Sequence, residues 1–195
     1  VLWLCSIQAS LGNESVNILF MGNSYTARHD IPSLVEQVLE EGDPDTDVKV
    51  SRVIYGGQNM FKHSTYYFSG SFIEQATLTE ETIKDRIAKM QQFLKSETAP
   101  DPEVWETHWS SIEPVRKRNF ADIHKHIQSA IRNHEALLKN NPKQKWDYVV
   151  LQSWRDVSAD ANQAYGKYAT QLAELAKANG AEVILYMTSP ETQNQ

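Results

Sequence analysis

The chain has 195 residues, 41% of them hydrophobic and 23% charged, with a net charge of -6 and a single cysteine, Cys5. That length supports one domain with a real core, not two. The acidic balance excludes a broad nucleic-acid or anionic-membrane interface, because both need a clustered basic surface, and one cysteine excludes an intrachain disulfide or a multi-cysteine zinc site.

In chain order, residues 1–15 begin VLWLCSIQAS, an apolar run followed by small and polar residues. It reads either as the tail of a secretory leader, predicting a secreted or periplasmic protein, or as an N-terminal arm. No run approaches the roughly 20 apolar residues that span a bilayer. Residues 16–195 read as one α/β domain. Val16 to Met21, Tyr148 to Gln152 and Glu182 to Met187 are short, continuously apolar and β-branched, as strands buried on both faces of a parallel sheet are. Val48 to Tyr55 alternates and predicts a strand nearer an edge. Helical spacing covers Ile31 to Glu41 and Ala161 to Ala178, with Gly42 and Gly180 where C-caps fall. The alternation predicts a three-layer α/β/α doubly wound parallel sheet.

Residues 58–145 break that alternation and read as a helical insertion packed beside the sheet, with the potential of a lid. A helix is predicted from Leu78 to Lys95, opened by a capping box from Thr77 to Glu80, and another from Phe120 to Lys139. The basic triplet Arg116-Lys117-Arg118 reads as a solvated helix entrance. Trp105, Trp109 and Trp154 fit core filling or a sugar-stacking platform.

The chemistry concentrates at strand exits, where open α/β sheets bind ligands. The first strand ends in Gly22-Asn23-Ser24, the second in Tyr55-Gly56-Gly57-Gln58-Asn59, the third in Leu151-Gln152-Ser153-Trp154-Arg155-Asp156. A serine at such an exit, ahead of helix N-terminal amides, suits a nucleophile whose product anion needs donors. The same tripeptide also suits an ordinary strand-to-helix turn, since Asn and Ser are good caps. A phosphate-cradling loop fits poorly, with one glycine and no lysine.

Together, ILFMGNSYT followed by IPSL, YGGQN and WDYVVLQ resemble the SGNH hydrolase superfamily, in a branch reading Gly-Asn-Ser where better-known members read Gly-Asp-Ser. The resemblance implies a flavodoxin-like fold and a serine esterase, with carbohydrate O-acetyl esters as one substrate class. Ser24 matches the nucleophile, and its own amide one oxyanion donor. Gly57, with Gly56 as the alternative, matches the second-block glycine that supplies another. The family's third-block asparagine has no counterpart here, and Gln152 is the candidate equivalent donor, with Asp156 or Ser153 behind it. Asn23, Gly56 and His63 are expected to line the site. No metal or organic cofactor is expected, and the partner is a small-molecule or carbohydrate ester.

The family's base comes from Asp-x-x-His, and no aspartate here has a histidine three positions later. A serine hydroxyl needs such a base in reach, so the resemblance leads us to expect it on chain beyond Gln195. His29 and His63 are the substitutes nearest the motifs; His124, His126 and His134 ride the second insertion helix, and His108 sits between two tryptophans. The competing reading is a binding module that keeps the pocket and lacks the base.

Overall fold

Four strands form one sheet: β1 (Glu14–Gly22), β2 (Thr46–Ile54), β3 (Tyr148–Gln152) and β4 (Glu182–Tyr186). The computed structural model describes residues 14–96, 113–140, 142–153 and 164–186; residues 1–13 of the leader-like segment, with Cys5, and Trp105, His108, Trp109, Trp154, Arg155 and Asp156 lie outside these, while Glu14 and Ser15 belong to β1. The order is β2-β1-β3-β4 and every pairing is parallel. β2, the alternating run, is an edge strand as its pattern predicts, whereas β4, whose apolar run predicts burial on both faces, is the other edge of the described sheet, with Ile184 and Leu185 exposed. All strands point one way, so their carboxyl ends share one rim. The chain leaves β1 toward β2 on one side and returns to β3 and β4 on the other, which puts the topological switch point between β1 and β3.

Between strands lie α1 (Ser24–Ala27), a 3-10 turn (Arg28–Asp30), α2 (Ile31–Gly42), α3 (Met60–Thr65), α4 (Gly70–Ile73), α5 (Glu80–Lys95), α6 (Glu113–Asn140) and α7 (Ala164–Ala178). The sheet's two faces separate by strand periodicity. Leu19, Met21, Val53, Val149 and Leu151 enter the larger core; Ile18, Phe20, Val48 and Val150 face α2 through Val35. Helices on both faces make the three layers. The α2 side is the thinner one, and a groove of about 710 Å³ remains on it between α2 and β4.

Residues 58–145 are more than an appendage. Met60, Phe61, Tyr67, Phe72, Ile73, Ile83, Ile87, Met90, Ile123 and Ile127 from this segment share one core with the sheet. Two expected caps shift. Thr79, not Thr77, opens α5 by accepting from the Thr82 amide at 3.2 Å, because the Thr77 hydroxyl is turned back onto the Glu74 carbonyl. Gly180 does close α7: at φ +87 it lets its N–H reach Lys177 O and the Ala181 N–H reach Ala176 O, a Schellman motif. Gly42 instead ends α2 from inside, and the Asp43 N–H caps Leu39 O at 2.9 Å. No described helix is long and apolar enough to cross a membrane.

A buried polar chain ties α4, α5 and α6 together. His134 Nδ1 lies 2.8 Å from the Ala130 carbonyl, which can only accept, so the ring proton sits on Nδ1. Nε2 therefore accepts from the Ser71 hydroxyl at 2.7 Å, while Ser71 accepts from Arg86, itself paired with Glu74. Burial pushes the His134 pKa down to about 4, against the opposing hydrogen bond to Ala130. A folded-state pKa below the unfolded value means that the unfolded chain binds the proton first, so stability falls as pH drops from about 6.5 toward 4. The expected cost is on the order of 3 kcal/mol for this group. Urea unfolding at pH 7 and pH 4.5 should show that loss together with a similar one from His63, which burial likewise lowers to about 4, and His134→Gln should remove about half of the total; an unchanged pH slope would show that His134 does not contribute.

Candidate functional site

The site begins with why β1 stops. At Gly22 an added Cβ would lie 2.8 Å from Gln152 Oε1 and closer still to Thr26 Oγ1, so only glycine fits between the neighbouring side chains. The Gly22 carbonyl accepts from the Tyr55 N–H at 3.0 Å and from His63 Nε2 at 3.0 Å. The chain then turns through Asn23, whose extended φ of -131° makes it the N-cap of the single-turn α1.

Asn23 is fully buried and every polar group on it is used. Its Oδ1 accepts from the Tyr25 N–H at 3.0 Å, its carbonyl accepts from the Thr26 and Ala27 N–H groups, and its Nδ2 donates to the Gln58 carbonyl at 2.9 Å. Its own N–H donates to Gln152 Oε1 at 3.0 Å. Asn23 thus absorbs three first-turn amides of α1, and the Ser24 amide is not among them. Ser24 itself is exposed.

The second exit lies beside the first, because Gly22 pairs with Ile54 and the ladder continues one step to Tyr55. Gly56 is exposed and Gly57 half-buried with φ +67, a left-handed value that favours glycine. Gln58 is buried; its Nε2 donates to the Gly56 carbonyl at 2.9 Å and its Oε1 accepts from the Tyr67 hydroxyl at 2.8 Å. Asn59 caps α3 by accepting from the Lys62 N–H.

At the third exit, Gln152 is fully buried and acts as a clamp. Its Oε1 accepts from both the Asn23 N–H and the Thr26 hydroxyl, each at 3.0 Å, and its Nε2 donates to the Ser153 carbonyl. Because the Asn23 N–H can only donate, the oxygen end must face it. The oxygen end is therefore committed to holding the serine loop, and one of the two Nε2 N–H groups, the end expected to serve as an oxyanion donor, is engaged by Ser153. Ser153 likewise accepts from the Met60 N–H at 3.0 Å.

His63 does not line an open pocket as expected: it is fully buried, donating from Nε2 to Gly22 and accepting at Nδ1 from the Ser69 hydroxyl at 2.9 Å. Desolvation by burial lowers its pKa to about 4 despite the Gly22 hydrogen bond, so it is neutral at ordinary pH. His29 is exposed, at φ +57 in the 3-10 turn. His126, on α6, was not expected near the motifs. Its half-buried ring meets Tyr55 and Tyr67 edge-on, 5.8 and 6.1 Å between centroids, with a hydrogen bond to the Gly56 backbone. Desolvation lowers its pKa overall. Periodicity could have placed His126 on the buried flank of α6, between Ile123 and Ile127, but not against a turn 70 residues earlier in the chain. Among the described residues no group of three or more His, Cys, Asp or Glu is arranged to hold a metal ion.

No family model matches the chain, and no curated protein matches it. A solved structure described as a putative SGNH hydrolase from Slackia heliotrinireducens aligns at 22% identity and a TM-score of 0.42, over 91% of this chain and 58% of that one. This chain thus spans less than two thirds of that protein's length, and a likeness at this level bears on neither the site nor the reaction.

The Asn23 geometry carries its own test. Asn23→Asp replaces the donor to Gln58 with an acceptor, leaving two oxygens facing one another in a dry site, which costs about 2–3 kcal/mol. Burial raises such a carboxyl above the unfolded value, so the variant should be most stable at low pH and lose stability as pH rises through its folded pKa. Chemical denaturation at pH 5 and pH 8 reads both effects; wild-type stability at pH 8 would contradict the clamp.

Proposed function

We propose that the protein is a serine acyl-ester hydrolase of the SGNH type, with Ser24 as nucleophile. The observation that carries the reading is the position of Ser24. It is exposed at the exit of the central strand, on a rigidly capped turn, with the Gly56–Gly57 turn at the adjacent exit on the same rim. An ordinary turn needs neither the fully engaged Asn23 nor a second glycine turn alongside.

In this reading the Ser24 Oγ attacks the ester carbonyl carbon and its proton passes to a general base. The carbonyl oxygen becomes an oxyanion, held by the Ser24 and Gly57 N–H groups. The carbon–oxygen bond to the alcohol breaks, the alcohol leaves with a proton from the base, and water then hydrolyses the acyl-enzyme. His63 and His134 are poor bases for this step, since each has both ring nitrogens engaged. The base is assigned to the histidine of an Asp-x-x-His block, as the resemblance implies, a pattern this sequence does not contain. Small acyl esters, carbohydrate O-acetyl esters among them, are the substrate class. Secretion or export to the periplasm accords with the leader-like residues 1–15.

A fluorophosphonate probe should label the full-length protein at Ser24 and release fluoride, with Ser24→Ala abolishing labelling without altering the thermal melt. A folded full-length protein that binds an acetylated sugar but takes no label would instead favour the binding-module reading.

A further inference from the structure

The Gly56–Gly57 turn poses a mechanical problem. A Cβ built on either glycine would meet nothing within 4 Å, so packing does not hold this turn in place. Two consecutive glycines are the most freely rotating pair a chain can have. An oxyanion donor, however, acts only if its N–H is aimed before the charge develops.

What fixes the turn is Gln58. Its backbone N–H closes on the Tyr55 carbonyl at 3.2 Å, and its side-chain Nε2 holds the Gly56 carbonyl at 2.9 Å. The orientation of this amide is settled, because a carbonyl can face only the nitrogen end, and Oε1 then accepts from the Tyr67 hydroxyl at 2.8 Å. Burial raises the Tyr67 pKa well above its ordinary value, which keeps that hydroxyl protonated and donating. No described peptide bond is cis. In a trans peptide the C=O and the following N–H point in opposite directions. Pinning the Gly56 carbonyl toward Gln58 and His126 therefore turns the Gly57 N–H to the other side of the same plane. The Gln58 carbonyl also accepts from Asn23 Nδ2, so one residue holds the glycine turn and the serine turn at once.

We propose that Gln58 is the positioning residue of this site: by holding the Gly56 carbonyl, with His126 of α6 as a second group on it, it aims the Gly57 N–H at the oxyanion formed on Ser24's substrate. This rests on the acyl-hydrolase reading above. Gln58 does not touch the substrate, and its effect is confined to the step in which the oxyanion forms.

Gln58→Glu, made in the full-length protein, keeps shape and the acceptor for Tyr67 but replaces the donor to Gly56 with an oxygen. With p-nitrophenyl acetate, normalised to the fraction of sites titrated by fluorophosphonate, kcat should fall about 100-fold, with KM held within about threefold. Tyr67→Phe removes only the hydroxyl that steers the Gln58 amide. It should lower kcat about 5- to 10-fold, the worth of one neutral hydrogen bond, and it serves if Gln58→Glu does not fold. Normalisation removes any loss of folded protein, so a merely structural role would leave the per-site kcat unchanged. Wild-type kcat in a folded variant, or a rise in KM alone, overturns the proposal. A wild-type protein that takes no label at Ser24 overturns the hydrolase reading along with it, whereas a labelled wild type matched in rate by Gln58→Glu overturns only the role of Gln58.

Discussion

The carbonyl of Gly22 is the point on which the rest of the site depends. It is the last acceptor of the central strand, and two donors from other parts of the chain meet on it: the Tyr55 N–H, which extends the β1–β2 ladder, and His63 Nε2 from α3. The first keeps the two strand exits side by side. The second fixes where α3 sits, and through Ser69 and the ring contacts of Tyr55 and Tyr67 it seats the start of the 58–145 segment on the sheet. A side chain at residue 22 would push against Gln152 and Thr26, so the strand ends in glycine for steric reasons before any chemistry is asked of it.

From that anchor a buried polar hub spreads to all three exits. Asn23 takes Gln152 from β3 and Gln58 from the β2 exit, and Gln152 in turn takes Thr26 of α1. Buried polar groups are costly when unmatched, and here each of these side chains finds its complement. That full satisfaction makes the rim specific: slipping one loop leaves at least two oriented groups without partners. It also explains why asparagine suits position 23. One end of the side chain must accept from the Tyr25 N–H while the other donates to the Gln58 carbonyl, and an ionised aspartate has no donor to offer.

The fold was largely legible because its signals are local or repetitive. Runs such as Ile18 to Met21 and Val149 to Leu151 are apolar on both faces, which a buried parallel strand requires and an edge strand like β2 does not. Gly180 was legible for the same reason, since a Schellman cap involves only its own helix. The site was half legible. Ser24 and the glycine pair announce themselves by sitting at strand ends, yet the roles of Gln152 and His63 do not, because a sequence shows that an amide or imidazole is present without showing which atom faces which partner. The Gln152 side chain meets Asn23 across 129 residues and His63 meets Gly22 across 41. Thr77 and Thr79 differ in the same way. Both fit a cap pattern, and the preceding turn at Glu74 decides between them.

The backbone beside the serine is strained. His29 and Asp30 both take left-handed conformations, φ +57 and +53, without being glycine. Each costs about 1–2 kcal/mol relative to the ordinary helical region, and such residues persist where their surroundings over-determine them. Arg52 of the edge strand contributes to this: its guanidinium pairs with Asp30 at 2.7 Å and donates to Ser33 of α2 at 2.5 Å, tying the α2 side of the strained pair to the sheet. The geometric need is plain. The chain must leave α1 at the rim and enter α2 on the opposite face of the sheet within three residues, and two left-handed steps make that reversal. The serine turn is therefore gripped at one end by the buried hub at Asn23 and at the other by an exposed ion pair on strained backbone. The two ends differ in kind, since the hub is shielded from solvent and the ion pair is exposed and screened by salt, so the Arg52 end is the weaker of the two supports.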